Sequence, residues 1–282
     1  MKKENLGYLQ IVFAGILAAF IPLLVRLGEN LGPYNLTFFK VLIPSIILGG
    51  FFLFNKKKLV PLKYERGKML LFGAIHGFIY LGYFLAIQYL TIAFAILLVY
   101  LFPLWIMFFS HFILKEKITK KSIFILLIGL IGMAILLSPK DLFVTYNFWA
   151  ILAGIASGIG AAFIYTISKT FKNYDKVSLT FWQNTIAVPF VFPLLFIDFP
   201  KFTVFDSFIV LALGLIGVFA LILVFKGLHK VQAIKGGIVM LSEMIFPIIL
   251  AFIFFKEIPS NITVFGGILI LIAAFMATRS NK

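Results

Sequence analysis

The sequence predicts an all-α membrane protein of ten transmembrane helices, arranged as two inverted five-helix repeats with both termini cytoplasmic. Three observations carry this prediction. Of 282 residues, 62% are hydrophobic and 12% charged, and the mean hydropathy is +1.12, whereas a soluble domain is about 25% charged. Ten apolar blocks follow one another, and about 20 apolar residues suffice to cross about 30 Å of hydrocarbon. With ten spans and cytoplasmic termini, the inner segments hold 20 Lys and Arg against 4 outside, the asymmetry that orients membrane proteins.

The first block, 6–26, is long for a signal-peptide core, and Val25-Arg26-Leu27-Gly28 offers no small-x-small cleavage site, so a retained helix is expected. The second, 35–54, closes on Asn55-Lys56-Lys57-Lys58. Blocks 69–90 and 92–114 are separated by Leu90-Thr91-Ile92. A tight hairpin is expected there, because one continuous helix overshoots the bilayer. Lys115-Glu116-Lys117 ends the fourth block, and Ser138-Pro139-Lys140-Asp141 ends the fifth, 121–138. The sixth, 147–168, starts with Trp149, an interfacial anchor. The seventh to tenth are 177–197, 206–227, 233–255 and 261–278. Pro22, Pro44, Pro103, Pro189, Pro193 and Pro247 lie inside spans, where each frees a carbonyl and can hinge a helix. Gly154-x3-Gly158 and Ala14-x3-Ala18 provide faces for close helix approach.

Several function classes fall away. With 36 Phe and little charge, disorder is excluded. The absence of Cys excludes disulfides, thiol nucleophiles and iron–sulfur clusters. His76, His111 and His229 lie in separate segments, so neither a metal site nor a cofactor is expected. A net charge of +15 in a soluble protein suggests nucleic acid. Here the basic residues sit between apolar blocks, so the expected partner is the lipid bilayer and not nucleic acid. His111 and Glu116 have a spacing faintly like an acyltransferase motif, but that motif requires Asp, and no enzyme is expected. No Gly-x4-Gly-Lys-Ser/Thr loop is present, so this chain does not hydrolyse ATP.

The halves match at an offset of 141–143 residues, dividing the chain into 1–140 and 141–282. Leu36-Thr37-Phe38-Phe39-Lys40 aligns with Leu179-Thr180-Phe181-Trp182-Gln183, Gly15 with Gly158, Gly73 with Gly214, and Lys115-Glu116 with Lys256-Glu257. The fifth and tenth blocks align poorly. Five spans per repeat is an odd number, so the second repeat enters the membrane in the opposite sense. Secondary transporters use such inverted repeats to exchange inward-open and outward-open states around a midplane site.

Ala86-Ile87-Gln88-Tyr89, Leu101-Phe102-Pro103 and Leu114-Lys115-Glu116-Lys117-Ile118-Thr119 in the first half carry a family resemblance. So do Gly227-Leu228-His229-Lys230-Val231, Leu241-Ser242-Glu243 and Phe255-Lys256-Glu257 in the second. With them the chain resembles the drug/metabolite transporter superfamily in its EamA-type form of two tandem repeats. It departs from the family pattern at Lys115 and Lys256, which replace the usual Gly, and at Met244, which stands where Pro would follow Glu243, with Pro247 one turn on. The resemblance implies a secondary active transporter of the prokaryotic plasma membrane, working by alternating access. Family habit, together with one acidic and one basic group inside the spans, suggests export of amino acids or related small metabolites, with protons as a candidate coupling ion. A passive channel or facilitator, a lipid-handling protein and a drug or sugar-conjugate carrier are the alternatives.

An ionisable group in mid-membrane costs at least about 2.5 kcal/mol and is a functional candidate by default. Glu243, near the centre of the ninth block beside Ser242, reads as a substrate-ammonium ligand or a proton carrier; a neutral Glu bonded to a neighbouring helix is the plainer reading. Lys40 can bind a substrate carboxylate, pair with Glu243, or extend its stem to the headgroups. Gln183 is its repeat mate, with Asn184 beside it. His76 is a proton-relay candidate or a packing residue. Tyr80 and Tyr83 share a helix face, and Trp105 and Trp182 lie mid-helix, so these four are candidate walls of a substrate cavity.

Overall fold

Apolar side chains make these segments helical and membrane-compatible, and prolines and caps decide where they stop. The computed structural model describes residues 3–28, 31–55, 57–137, 147–197, 203–256 and 258–279. Lys2, Lys56, Ser138-Pro139-Lys140-Asp141 with the boundary between 140 and 141, Lys201, Glu257 and Lys282 lie outside the described residues.

Every regular element among the described residues is helical. In chain order they are α1 (Lys3–Ala18), α2 (Phe20–Leu27), α3 (Pro33–Phe54), α4 (Arg66–Tyr89), α5 (Ile92–Val99), α6 (Phe102–Leu114) and α7 (Lys120–Leu136). They continue with α8 (Phe148–Ser168), α9 (Lys176–Val191) and its 3-10 extension Phe192–Phe196, and α10 (Val204–Leu228). Last come α11 (Ala233–Met240), a 3-10 turn Leu241–Met244, α12 (Ile245–Phe255) and α13 (Asn261–Arg279). Among the described residues, nine segments are long and apolar enough to cross a membrane. The fifth block, α7, has 17 residues, about 25 Å at 1.5 Å per residue. The expected hairpin between the third and fourth blocks is present: α4 ends at Tyr89, and the Thr91 hydroxyl caps α5 by accepting from Phe94 N–H.

Side chains set most of the other starts. Thr119 caps α7, Asn147 caps α8, and Asp175 caps α9 by accepting from Val177 and Ser178. Thr203 and Asp206 cap α10 reciprocally. Burial works to raise the pKa of Asp175, but hydrogen bonds from Lys57 and Ser178 outweigh it and hold the carboxyl below its usual range.

Three spans are broken in mid-course. The first divides at Ala19, with Pro22 following. The fourth divides at Tyr100-Leu101, just before Pro103, and the ninth turns 3-10 over Leu241–Met244, just before Pro247. A proline lacks an N–H and clashes with the carbonyl four residues back. Pro103 therefore disturbs Val99, and Pro247 disturbs Glu243. Pro44 and Pro189 sit inside helices that continue past them.

The packing contains matched contacts between positions related by the sequence offset. A Cβ on Gly73 would lie 2.5 Å from Ile186 Cβ, and one on Gly214 would lie 2.2 Å from Ile43 Cγ2. Gly15 lies against Glu243, and Gly158 against the carbonyls of Leu98 and Val99. Thr37 and Thr180 both donate to the carbonyl four residues back. Lys115 and Lys256 are both left-handed, with φ 58° and 56°, the conformation that favours glycine. The poorly aligned fifth and tenth blocks pack on each other, crossing where Gly132 meets Gly266. Outward-facing Phe13, Phe54, Phe124, Phe208 and Phe275 are exposed, as a lipid-facing surface requires.

The matched glycines give a direct test. Gly73→Ala and Gly214→Ala should each lower the melting temperature of the solubilised chain, at about 1–3 kcal/mol for overpacking. A variant that melts at the wild-type temperature would show that its helix pair is not held at this separation.

Candidate functional site

The spans enclose a cavity of about 140 Å3. The broken spans supply much of its wall. Ala14, Ala18, Ala19, Ile21 and Pro22 come from α1, its break and α2, Val99, Tyr100 and Phe102 from the fourth-span break, and Glu243 and Pro247 from the ninth. Lys40 of α3, Ile79, Tyr80 and Tyr83 of α4, Ser157, Ala161 and Tyr165 of α8, and Gly217, Ala220, Leu221 and Val224 of α10 complete it. Such discontinuous helices bring polar backbone and side chains to a binding site at membrane depth.

Glu243 sits on the 3-10 turn and faces the cavity. Gly15 makes room for it: a Cβ there would come within 3.1 Å of Glu243 Cβ. The Tyr100 hydroxyl donates to Glu243 Oε1 at 2.6 Å, a short hydrogen bond. The two residues are 143 positions apart, so the repeat offset that pairs Gly15 with Gly158 also pairs Tyr100 with Glu243. Each lies at the break in its own span.

Lys40 is 2% exposed. Its Nζ donates to the Leu213 carbonyl of α10 at 2.9 Å and stands 5.6 Å from the Tyr80 ring centre. Gly217 permits this, since a Cβ there would be 2.9 Å from Nζ. Lys40 does not extend to the headgroups: the Leu213 carbonyl and the Tyr80 ring hold it against the cavity. Nor is it ion-paired with Glu243 among the described residues. The cavity thus carries a carboxylate and an ammonium that do not neutralise each other in direct contact, with four tyrosines around them.

The other sequence candidates divide. Tyr80 and Tyr83 line the cavity as their shared face predicts. Ser242 turns away, with its hydroxyl donating to Val239 O at 2.7 Å. Trp105 packs beside Phe108, outside the cavity wall. Trp182 Nε1 donates to Val60 O at 2.8 Å and pins the loop before α4 onto α9. Gln183 is 0% exposed, and its backbone carbonyl lies against Gly73. Its amide, His76 Nε2 and Asn184 Oδ1 have no hydrogen-bond partner among the described residues. His76 lies edge-on to Tyr80 at 5.0 Å, one ring behind the wall. Tyr165 and Ser157 were not among the sequence candidates. The available signal was their place on the face of α8 that also carries Gly158 and Ala161.

A family model of EamA-like transporters matches residues 5–138 and again residues 148–279. The chain belongs to the EamA-like transporter family. It is therefore a multi-pass membrane transporter and not an enzyme. It is 23% identical over 279 residues to the pseudopaline exporter CntI of Pseudomonas aeruginosa strain UCBPP-PA14, an alignment covering 98% of this chain and 97% of that one. It is 26% identical over 263 residues to an S-adenosylmethionine uptake transporter of Rickettsia prowazekii, covering 91% and 86%. A crystal structure shares the fold at a TM-score of 0.82 and 20% identity, over 98% of each chain.

Proposed function

We propose that this EamA-type chain is a secondary active transporter of a prokaryotic plasma membrane, exporting an amino acid or a related small metabolite by alternating access. In this reading, 1–140 and 141–282 are inverted five-helix repeats, and both termini are cytoplasmic. The observation that carries the proposal is the cavity at the breaks of spans one, four and nine, which presents Glu243 and Lys40 without direct pairing. A zwitterionic substrate satisfies both groups, its ammonium toward Glu243 and its carboxylate toward Lys40. Tyr80, Tyr83, Tyr100 and Tyr165 supply aromatic surface and hydroxyls for its side chain. Glu243 is also the group placed to carry a coupling proton. The matched contacts Gly73–Ile186 and Gly214–Ile43 support two bundles of similar build. The names of the similar proteins include both an exporter and an uptake transporter. Export follows the exporter, whose alignment covers 98% of this chain.

Counterflow in proteoliposomes, with a panel of labelled amino acids and with or without a pH gradient, tests the proposal. The expected result is saturable exchange that a proton gradient drives uphill. Exchange without accumulation would make the chain a facilitator. Absence of exchange with every amino acid would remove the substrate class and leave drugs, sugar conjugates and lipids to be tried.

A further inference from the structure

The end of the bundle that carries Lys3 and Arg279 is closed by packing and by one polar clamp. Fully buried Phe72, Phe171, Phe225 and Leu228 fill its core, and all eight residues of α11 are buried. At its entrance stands Glu116. Its Oε1 accepts from Ala233 N–H at 2.8 Å and its Oε2 from Ile234 N–H at 3.1 Å, so the carboxylate holds the start of α11 with both oxygens. Lys169, just past α8, lies 3.5 Å from Glu116 Oε1 and donates to the Val231 carbonyl. Burial lowers the pKa of Lys169, and the Glu116 carboxylate draws it part of the way back.

This is an unusual way to cap a helix. Helices α5, α7, α8, α9 and α10 are each capped by the residue immediately before them. Gln232, before α11, makes no side-chain cap, and the cap comes instead from 117 residues away, in the other half of the chain. The left-handed Lys115 turn, closed by Glu116 N–H donating to Ser110 O at 3.1 Å, brings Glu116 to α11. The clamped helix is the segment that leads into the Leu241–Met244 break and Glu243, while α12 beyond the break is a separate helix. A clamp on α11 therefore bears on the cavity through the adjoining break that carries Glu243, since no residue of α11 itself lines the cavity.

We propose that Glu116 is a gate-positioning residue: with Lys169 it locks α11 to the α6–α7 turn and to the end of α8, and the cavity opens toward the Lys3 end when the carboxylate releases Ala233 and Ile234. The inference rests on the alternating-access reading, but its test does not use transport.

The chain contains no Cys, so single reporters are clean. Ala18→Cys reports the cavity, and Val231→Cys reports the closed end, where Val231 is 5% exposed. Labelling rates with a small maleimide are measured on the solubilised full chain. Ala18→Cys is expected to react at least about tenfold faster than Val231→Cys, as burial slows access. Adding Glu116→Gln should raise the Val231→Cys rate about tenfold or more and lower the Ala18→Cys rate about threefold, since opening one side closes the other. Lys169→Met should move both rates in the same directions by about threefold, as a weaker partner would. Unchanged rates overturn the proposal, and so does a parallel rise at both reporters, which is general loosening. If Glu116→Gln does not fold, Lys169→Met decides alone. Failure of wild-type counterflow would remove the transport mode but not an opposed shift of the two reporters.

Discussion

Glu243→Gln should abolish uphill transport and weaken substrate binding by about 10- to 100-fold, the equivalent of one charge-assisted hydrogen bond of about 1.5–3 kcal/mol. The substitution is nearly isosteric, and a glutamine carbonyl can still accept from the Tyr100 hydroxyl that now donates to Oε1 at 2.6 Å. Gly15, which makes room for the Glu243 stem, makes equal room for glutamine. The fold should therefore survive, and the loss should fall on binding and on proton coupling. Tyr100→Phe is the control: it removes the hydroxyl but keeps the charge, so its effect should be smaller and uphill transport should persist. Proteoliposome uptake with an imposed pH gradient reads both variants. Transport by Glu243→Gln at the wild-type rate, with wild-type pH dependence, would take Glu243 out of the mechanism.

Lys40→Met should separate stability from function in the opposite sense. Lys40 is buried, and its Nζ is held by the Leu213 carbonyl and the Tyr80 ring, with no carboxylate paired to it among the described residues. Burying an ammonium in this way is costly, so an apolar side chain of similar length should be neutral or stabilising there. The Leu213 carbonyl belongs to α10, so within that helix it can accept from Gly217 N–H four residues on. The melting temperature should hold or rise. Affinity for a carboxylate-bearing substrate should fall about 10- to 100-fold, with little change for an amine that lacks the carboxylate. Equal affinity for both ligands before and after the substitution would assign Lys40 to structure alone.

The helices were legible because their signal is local. Apolar length fixed the spans, Thr91 and its neighbours fixed the hairpin at 90–92, and Lys115 ended α6. The pairing of Gly73 with Gly214 was also readable, because two glycines at one offset need no structure to be compared. The partners of those glycines, Ile186 and Ile43, were not legible, since one isoleucine among many in an apolar chain carries no mark. The position of the ninth-span break was open in the sequence, because Met244 occupies the expected proline position. In the structure the turn spans Leu241–Met244, ahead of Pro247.

The site shows the same division. Composition and the cost of burying charge were enough to single out Glu243 and Lys40, and helical periodicity was enough for Tyr80 and Tyr83. Those are properties of single residues or of one helix. Whether Lys40 reached the headgroups, paired with Glu243 or lay against a carbonyl depended on where α10 passes, and Gly217 decided it by leaving space. Trp182, Gln183 and Ser242 have the polarity of site residues, but Trp182 and Ser242 donate to the Val60 and Val239 carbonyls and Gln183 is fully buried outside the cavity lining. The sequence by itself determined a membrane chain of repeated apolar spans with two costly charges inside. Tertiary structure alone decided which side chains meet at the cavity and that Glu116 reaches the start of α11, because rotation about a helix axis and contacts across 117 or 143 residues are set by packing, not by local pattern.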